Sequence, residues 1–117
     1  MKKFILMLGI ALIFSSITCT READITIKLT NPSNKIVPFK LKYTPPTGGE
    51  LQFRDYTPKE YTITIRKGET LKGEVYKDTL DLIDVLHFQL LLNGEEKLVN
   101  DITWGFVQKI EFQVTGE

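Results

Sequence analysis

Beyond residue 22 the chain alternates apolar and polar positions with period two over most of its length. Ala23, Ile25, Ile27 and Leu29 are separated by Asp24, Thr26 and Lys28, the spacing of a strand that buries one face and wets the other. Asn31-Pro32-Ser33-Asn34-Lys35 is dense in turn formers, after which Val37, Phe39, Leu41 and Tyr43 alternate with Pro38, Lys40 and Lys42. Pro38 has no N–H to give a ladder, so this strand is expected at a sheet edge or to begin after the proline, with the two lysines deterring pairing between molecules. A short strand at 51–54 lies between two turn-rich stretches, 44–50 and 55–60, and Tyr61-Thr62-Ile63-Thr64-Ile65-Arg66 alternates again. Leu71, Gly73 and Val75 supply a further inward set. From Val85 to Leu92, the residues Leu86, Phe88, Leu90 and Leu92 share one face, with His87 and Gln89 on the other. Asn93-Gly94 is the residue pair best suited to a primed hairpin turn, and 95–99 returns. Ile110, Phe112 and Val114 against Lys109, Glu111 and Gln113 close the series. One stretch breaks the rule: at 78–84 an acid recurs every third position, which reads as one helical turn or an irregular crossover between sheets.

Seven or eight short strands with turns between them, and no sustained helical period, predict an all-β fold: a small antiparallel β-sandwich over 23–117. Tyr61-Thr-Ile-Thr-Ile-Arg-Lys-Gly-Glu-Thr70 is similar to the strand-Gly-Glu-turn step of bacterial immunoglobulin-like surface modules. That resemblance implies an immunoglobulin-like sandwich and assigns no residue a role. The disulfide and core tryptophan of antibody domains are missing.

The N-terminus follows a different pattern. Met1-Lys2-Lys3 is a short basic start, residues 4–14 are an unbroken apolar run of 11, and Ser15-Ser16-Ile17-Thr18-Cys19 is small and polar. Eleven helical residues rise about 16 Å, roughly half of a ~30 Å hydrocarbon core, so 1–18 reads as an export signal rather than a span. Cys19 is the chain's one cysteine, so no disulfide can form within the chain. The segment resembles a bacterial lipoprotein signal peptide, in which such a cysteine takes diacylglycerol on its sulfur and becomes the first mature residue; Ser16 and Thr18 depart from the usual box. The resemblance implies a lipid anchor on Cys19, a tether at 19–22 and a place in the cell envelope. The absence of Asp at position 20 favours the outer membrane. Several tens of acyl methylenes at ~0.8 kcal/mol each would hold the protein there.

Removal of Lys2 and Lys3 leaves 13 basic against 15 acidic side chains. With no basic run longer than a pair, the counterion release that drives nucleic-acid binding is missing, and no nucleic-acid partner is expected. From Cys19 onward there is one serine, Ser33, one histidine, His87, and no methionine. Material for a nucleophile and its base is scarce, and a zinc site wants three or four ligands. Asp78, Asp81 and Asp84 are the acids available to a Ca²⁺ ion, but the alternating D-x-D-x-D-G loop is absent and a solvated turn capped by Asp78 is the simpler reading. No cofactor is called for.

Tyr43, Tyr56, Tyr61, Tyr76 and Trp104 are the rings that could stack on a sugar or anchor a protein. Tyr56 and Trp104, with the loops at 44–50 and 55–60, are the expected contact residues of a non-enzymatic binding module. Its partners would be the membrane, through Cys19, and a protein or envelope component. A carbohydrate-binding module is the alternative, needing two or three coplanar exposed rings. A small hydrolase working through Asp81 and Asp84 ranks behind both, because a domain of about this size has little room for a cleft.

Overall fold

The computed structural model describes residues 22–80, 83–105 and 108–117. The expected export signal, the tether up to residue 21, Cys19 and Asp81 lie outside these. Eight strands run in chain order: β1 (Glu22–Thr30), β2 (Pro38–Thr44), β3 (Leu51–Tyr56), β4 (Lys59–Arg66), β5 (Thr70–Lys77), β6 (Leu86–Leu92), β7 (Glu95–Ile102) and β8 (Ile110–Thr115). They form two antiparallel four-stranded sheets, ordered β4-β1-β6-β7 and β3-β2-β5-β8, packed face to face as a β-sandwich.

Period two decides which side chains meet between the sheets. In β1, Ala23, Ile25, Ile27 and Leu29 are buried, and in β6 Leu86, Phe88, Leu90 and Leu92 are buried, as the alternation predicts. Phe39, Leu41, Leu71, Val75, Ile110, Phe112 and Val114 close the core from the other sheet. The Phe88 and Phe112 rings meet across the two layers at 5.4 Å.

The expectation for Pro38 is corrected in one respect. It is the first residue of β2, but β2 is an interior strand, flanked by β3 and β5. Its missing N–H costs no bond because the ladder starts there, and its carbonyl accepts from the Asp78 N–H at 2.9 Å. Lys42 accordingly guards no edge and instead meets Glu74 of β5 at 3.7 Å. The second turn is also shorter than expected. β3 runs to Tyr56 and β4 starts at Lys59, leaving only Thr57 and Pro58, joined by a cis peptide, to carry the chain from one sheet to the other. Asn93 and Gly94 have φ of 52° and 83°, the primed turn predicted for the β6–β7 hairpin. The stretch after β5 is an irregular crossover between the sheets, without a helical turn among its described residues.

Strand direction sorts the connections into two groups. Glu22, the turns after β2, β4 and β6, and the C-terminus lie at one end. The links after β1, β3, β5 and β7 gather at the other.

Candidate interaction surface

The end that gathers these four links is held together by buried polar side chains. Asn31, at the end of β1, accepts the N–H groups of Ser33 and Lys35 on its Oδ1 at 2.9 and 3.1 Å, and donates through Nδ2 to the Val85 carbonyl at 2.8 Å. One side chain thus ties the β1–β2 loop to the crossover before β6. The Thr57 hydroxyl accepts the Val37 N–H and donates to the Lys35 carbonyl, both at 2.9 Å, tying the β3–β4 link to the same loop. Lys77 is fully buried and its ammonium donates to the Thr103 carbonyl at 2.7 Å, fastening the β7–β8 loop to β5. Gln108 Oε1 accepts the N–H groups of Thr103 and Trp104 at 3.1 and 3.2 Å. Lys35 and Asp84 add an ion pair at 3.6 Å. Gly105 lies so close to the crossover that a Cβ there would fall on the Thr79 carbonyl. Buried backbone groups left unpaired would be costly, so these bonds fix the loops rather than merely decorate them.

Among polar and charged side chains, this braced end also shows five large apolar ones to solvent. Ile83 is 81% exposed, Leu80 76%, Ile36 71%, Tyr56 59% and Trp104 56%. Among the described residues the other exposed large apolar side chains are Leu51, at the opposite end, and Val99, on a sheet face, both less open. An apolar side chain alone on a surface is ordinary, whereas five on the links of one end set that end apart from the rest of the described surface. The charges beside them are neutralised locally: Arg54 lies 3.8 Å from Asp78, and Lys59 lies 3.2 Å from Asp55. The Tyr56 N–H and the Lys59 ammonium hold the Asp55 carboxyl below the usual carboxylate range.

Tyr56 and Trp104 therefore share one end, as members of a larger apolar set, while the 44–50 loop lies at the other, about 20 Å away along the six residues of β3 at ~3.3 Å each. The remaining tyrosines are placed differently. Tyr43 and Tyr61 pack with Phe53 at ring distances of 5.7 and 5.3 Å, and Tyr76 is half-buried. Of the five rings, two are open to solvent.

Asp78 and Asp84 stand in ion pairs with Arg54 and Lys35, so either would give up a cation to take a metal. Among the described residues no three His, Cys, Asp or Glu side chains converge in a way that could hold one. His87 faces outward, as the alternation predicts, with its Nδ1 2.6 Å from Asp101 Oδ1 on β7. A shallow depression of about 420 Å³ on the outer face of the second sheet is lined by Lys42, Glu50, Lys72, Glu74 and Glu111 among others, two lysines against three glutamates.

The sequence reading missed Ile36, Leu80 and Ile83. Each had a signal: an apolar residue inside a turn-rich or period-breaking stretch has no strand face to bury it. Neither a protein-family model nor a curated protein matches the chain.

Proposed function

We propose that the protein is an exported, lipid-anchored binding module of the bacterial envelope that acts by contact rather than catalysis. Cys19 would be the anchor. The end carrying Ile36, Tyr56, Leu80, Ile83 and Trp104 would dock onto an apolar surface of a protein or envelope component. The observation that carries this reading is the gathering of five exposed apolar side chains on loops braced by Asn31, Thr57 and Lys77. A surface held rigid before contact loses little conformational entropy on binding. The docking end is also the one remote from Glu22, by roughly the 30 Å that nine strand residues span, so an anchor at Cys19 leaves it free. The immunoglobulin-like likeness agrees with this role, since small sandwiches commonly present binding loops at one end.

The test places a photo-crosslinking residue at Ile83, and in a control at Gln89 on the outer face of the first sheet, in bacteria expressing the full chain. The expected result is one discrete adduct from Ile83, lost on Trp104→Asp, none from Gln89, and release of the protein from membranes on Cys19→Ala. Equal labelling from both positions, or an Ile83 adduct indifferent to Trp104→Asp, would overturn the docking surface. Membrane retention of Cys19→Ala would overturn the anchor.

A further inference from the structure

Among the four sheet edges of the described residues, β4 is the one left open to pairing. β7 carries a register shift opposite Leu90 and Leu91 and the charges of Glu95, Glu96, Lys97 and Asp101, while β3 carries Arg54 and Asp55 and β8 carries Glu111 in a strand of six. The centre of β4, Tyr61-Thr62-Ile63-Thr64-Ile65, has no charge, proline or bulge, and every residue is aromatic or β-branched. Tyr61 and Ile63 remain partly exposed on the core side. The Arg66 N–H donates to Glu69 Oε1 at 2.7 Å and its carbonyl accepts the Glu69 N–H at 3.0 Å, away from β1. Backbone groups alternate sides along a strand, so those of Thr62 and Thr64 also face the open edge.

The charges at the two ends of β4 are complementary to each other. Glu60 and Arg66 are both exposed, and neither joins an ion pair of the described residues, although Glu60 stands opposite Lys28 and Arg66 opposite Glu22 on β1. We propose that β4 pairs antiparallel with β4 of a second copy about a two-fold axis through Ile63, joining two four-stranded sheets into one of eight. In that register Ile63 meets Ile63 of the second copy, Tyr61 meets Ile65, Thr62 meets Thr64 and Glu60 meets Arg66. Thr62 and Thr64 exchange backbone hydrogen bonds across the axis. The outer row then reads Lys28, Glu60, Arg66 and Glu22 across four strands, alternating in sign. Lys59 falls opposite Lys67 of the second copy, but Asp55 already neutralises Lys59. Such an interface is isologous and closes on itself.

Sedimentation equilibrium of the full chain in density-matched detergent tests this pairing. The wild type is expected to form a concentration-dependent dimer. Glu60→Arg or Arg66→Glu alone sets like charges against each other twice per dimer and should weaken association about tenfold or more. The combined variant restores the pairing between copies while leaving mismatches with Lys28 and Glu22 within each chain, so recovery to near the wild-type constant can come only from contact between copies. Thr62→Pro removes an N–H that faces the open edge and should give a folded monomer by circular dichroism. A wild type monomeric up to about 100 µM, a combined variant no tighter than the single reversals, or a folded Thr62→Pro chain that dimerises like the wild type would each overturn the proposal.

Discussion

Tyr61 is the residue whose burial is least complete in chemical terms. Its ring lies against Phe39 and Phe53 at 6.3 and 5.3 Å, but its hydroxyl is buried without a hydrogen-bond partner among the described residues. Burial first, then the negative charges of Asp55 and Tyr43, push its phenol up to about 12. An unfolded tyrosine ionises near 10, so relative to its ionised form, and not to a phenylalanine, the neutral phenol contributes stability below pH 10. Above that the unfolded chain loses its proton first, and the contribution is lost as pH rises from about 10 through 12. Tyr61→Phe should therefore match or exceed the wild type at pH 7, by about 1 kcal/mol at most, and fall less steeply between pH 10 and 12. Urea unfolding at pH 7, 10 and 11.5 decides it, and parallel slopes for the two proteins would contradict the assignment. Thr57→Val keeps the shape but removes the hydroxyl that serves Val37 and Lys35. It should cost about 1–3 kcal/mol in the same assay, the penalty of a stranded buried group. Neither role was legible in the sequence, because alternation says which way a side chain points and not whether a partner waits there.

At the scale of strands, alternation was informative where one face is buried, as in β1, β4, β6 and β8, and silent about which sheet a strand joins. It could not reveal that β2 is interior, since Pro38 at its start forfeits nothing. Pairing across the β6–β7 hairpin shows a different limit. Counting outward from Asn93-Gly94 sets His87 opposite Asn100, but the register shift between Leu90 and Leu91 moves it to Asp101, and a bulge leaves no clear mark in the alternation. The proposed docking end was legible only in part. Tyr56 and Trp104 were visible as rings, whereas Leu80 and Ile83 fall in the stretch where the period breaks. The contact between Gly105 and the Thr79 carbonyl is the element-scale joint of that end, and Gly105→Ala must push the β7–β8 loop off the crossover. Strain of this kind costs about 1–3 kcal/mol. We expect faster amide exchange at Thr103 and Trp104 with unchanged protection in β1 and β6; unchanged exchange at both loop positions would show that the joint is loose already.

For the whole molecule, what matters is where the ends lie. In a single copy Glu22 and the apolar loops are at opposite ends of the strands, which suits the proposed module, standing on a membrane by an anchor at Cys19 with its loops outward. The two-fold pairing of β4 changes that geometry. Glu22 stands opposite Arg66 in each copy, so the axis through Ile63 sets the two Glu22 residues about 20 Å apart along the strands and at opposite sides of the dimer. If Cys19 is acylated in both copies, as proposed, with only Thr20 and Arg21 between it and Glu22, two anchors can enter one bilayer only if the strands lie along its surface. Polarised infrared dichroism of the full chain in supported bilayers reads strand direction directly. The wild type should show strands close to the bilayer plane, and Glu60→Arg, which should leave single copies with one anchor each, should show them turned toward the normal. Equal dichroism for the two proteins would mean that pairing, anchoring or both are absent in the membrane, and sedimentation of the same samples distinguishes these. A dimer by sedimentation with unchanged dichroism removes the anchor, and a monomer removes the pairing.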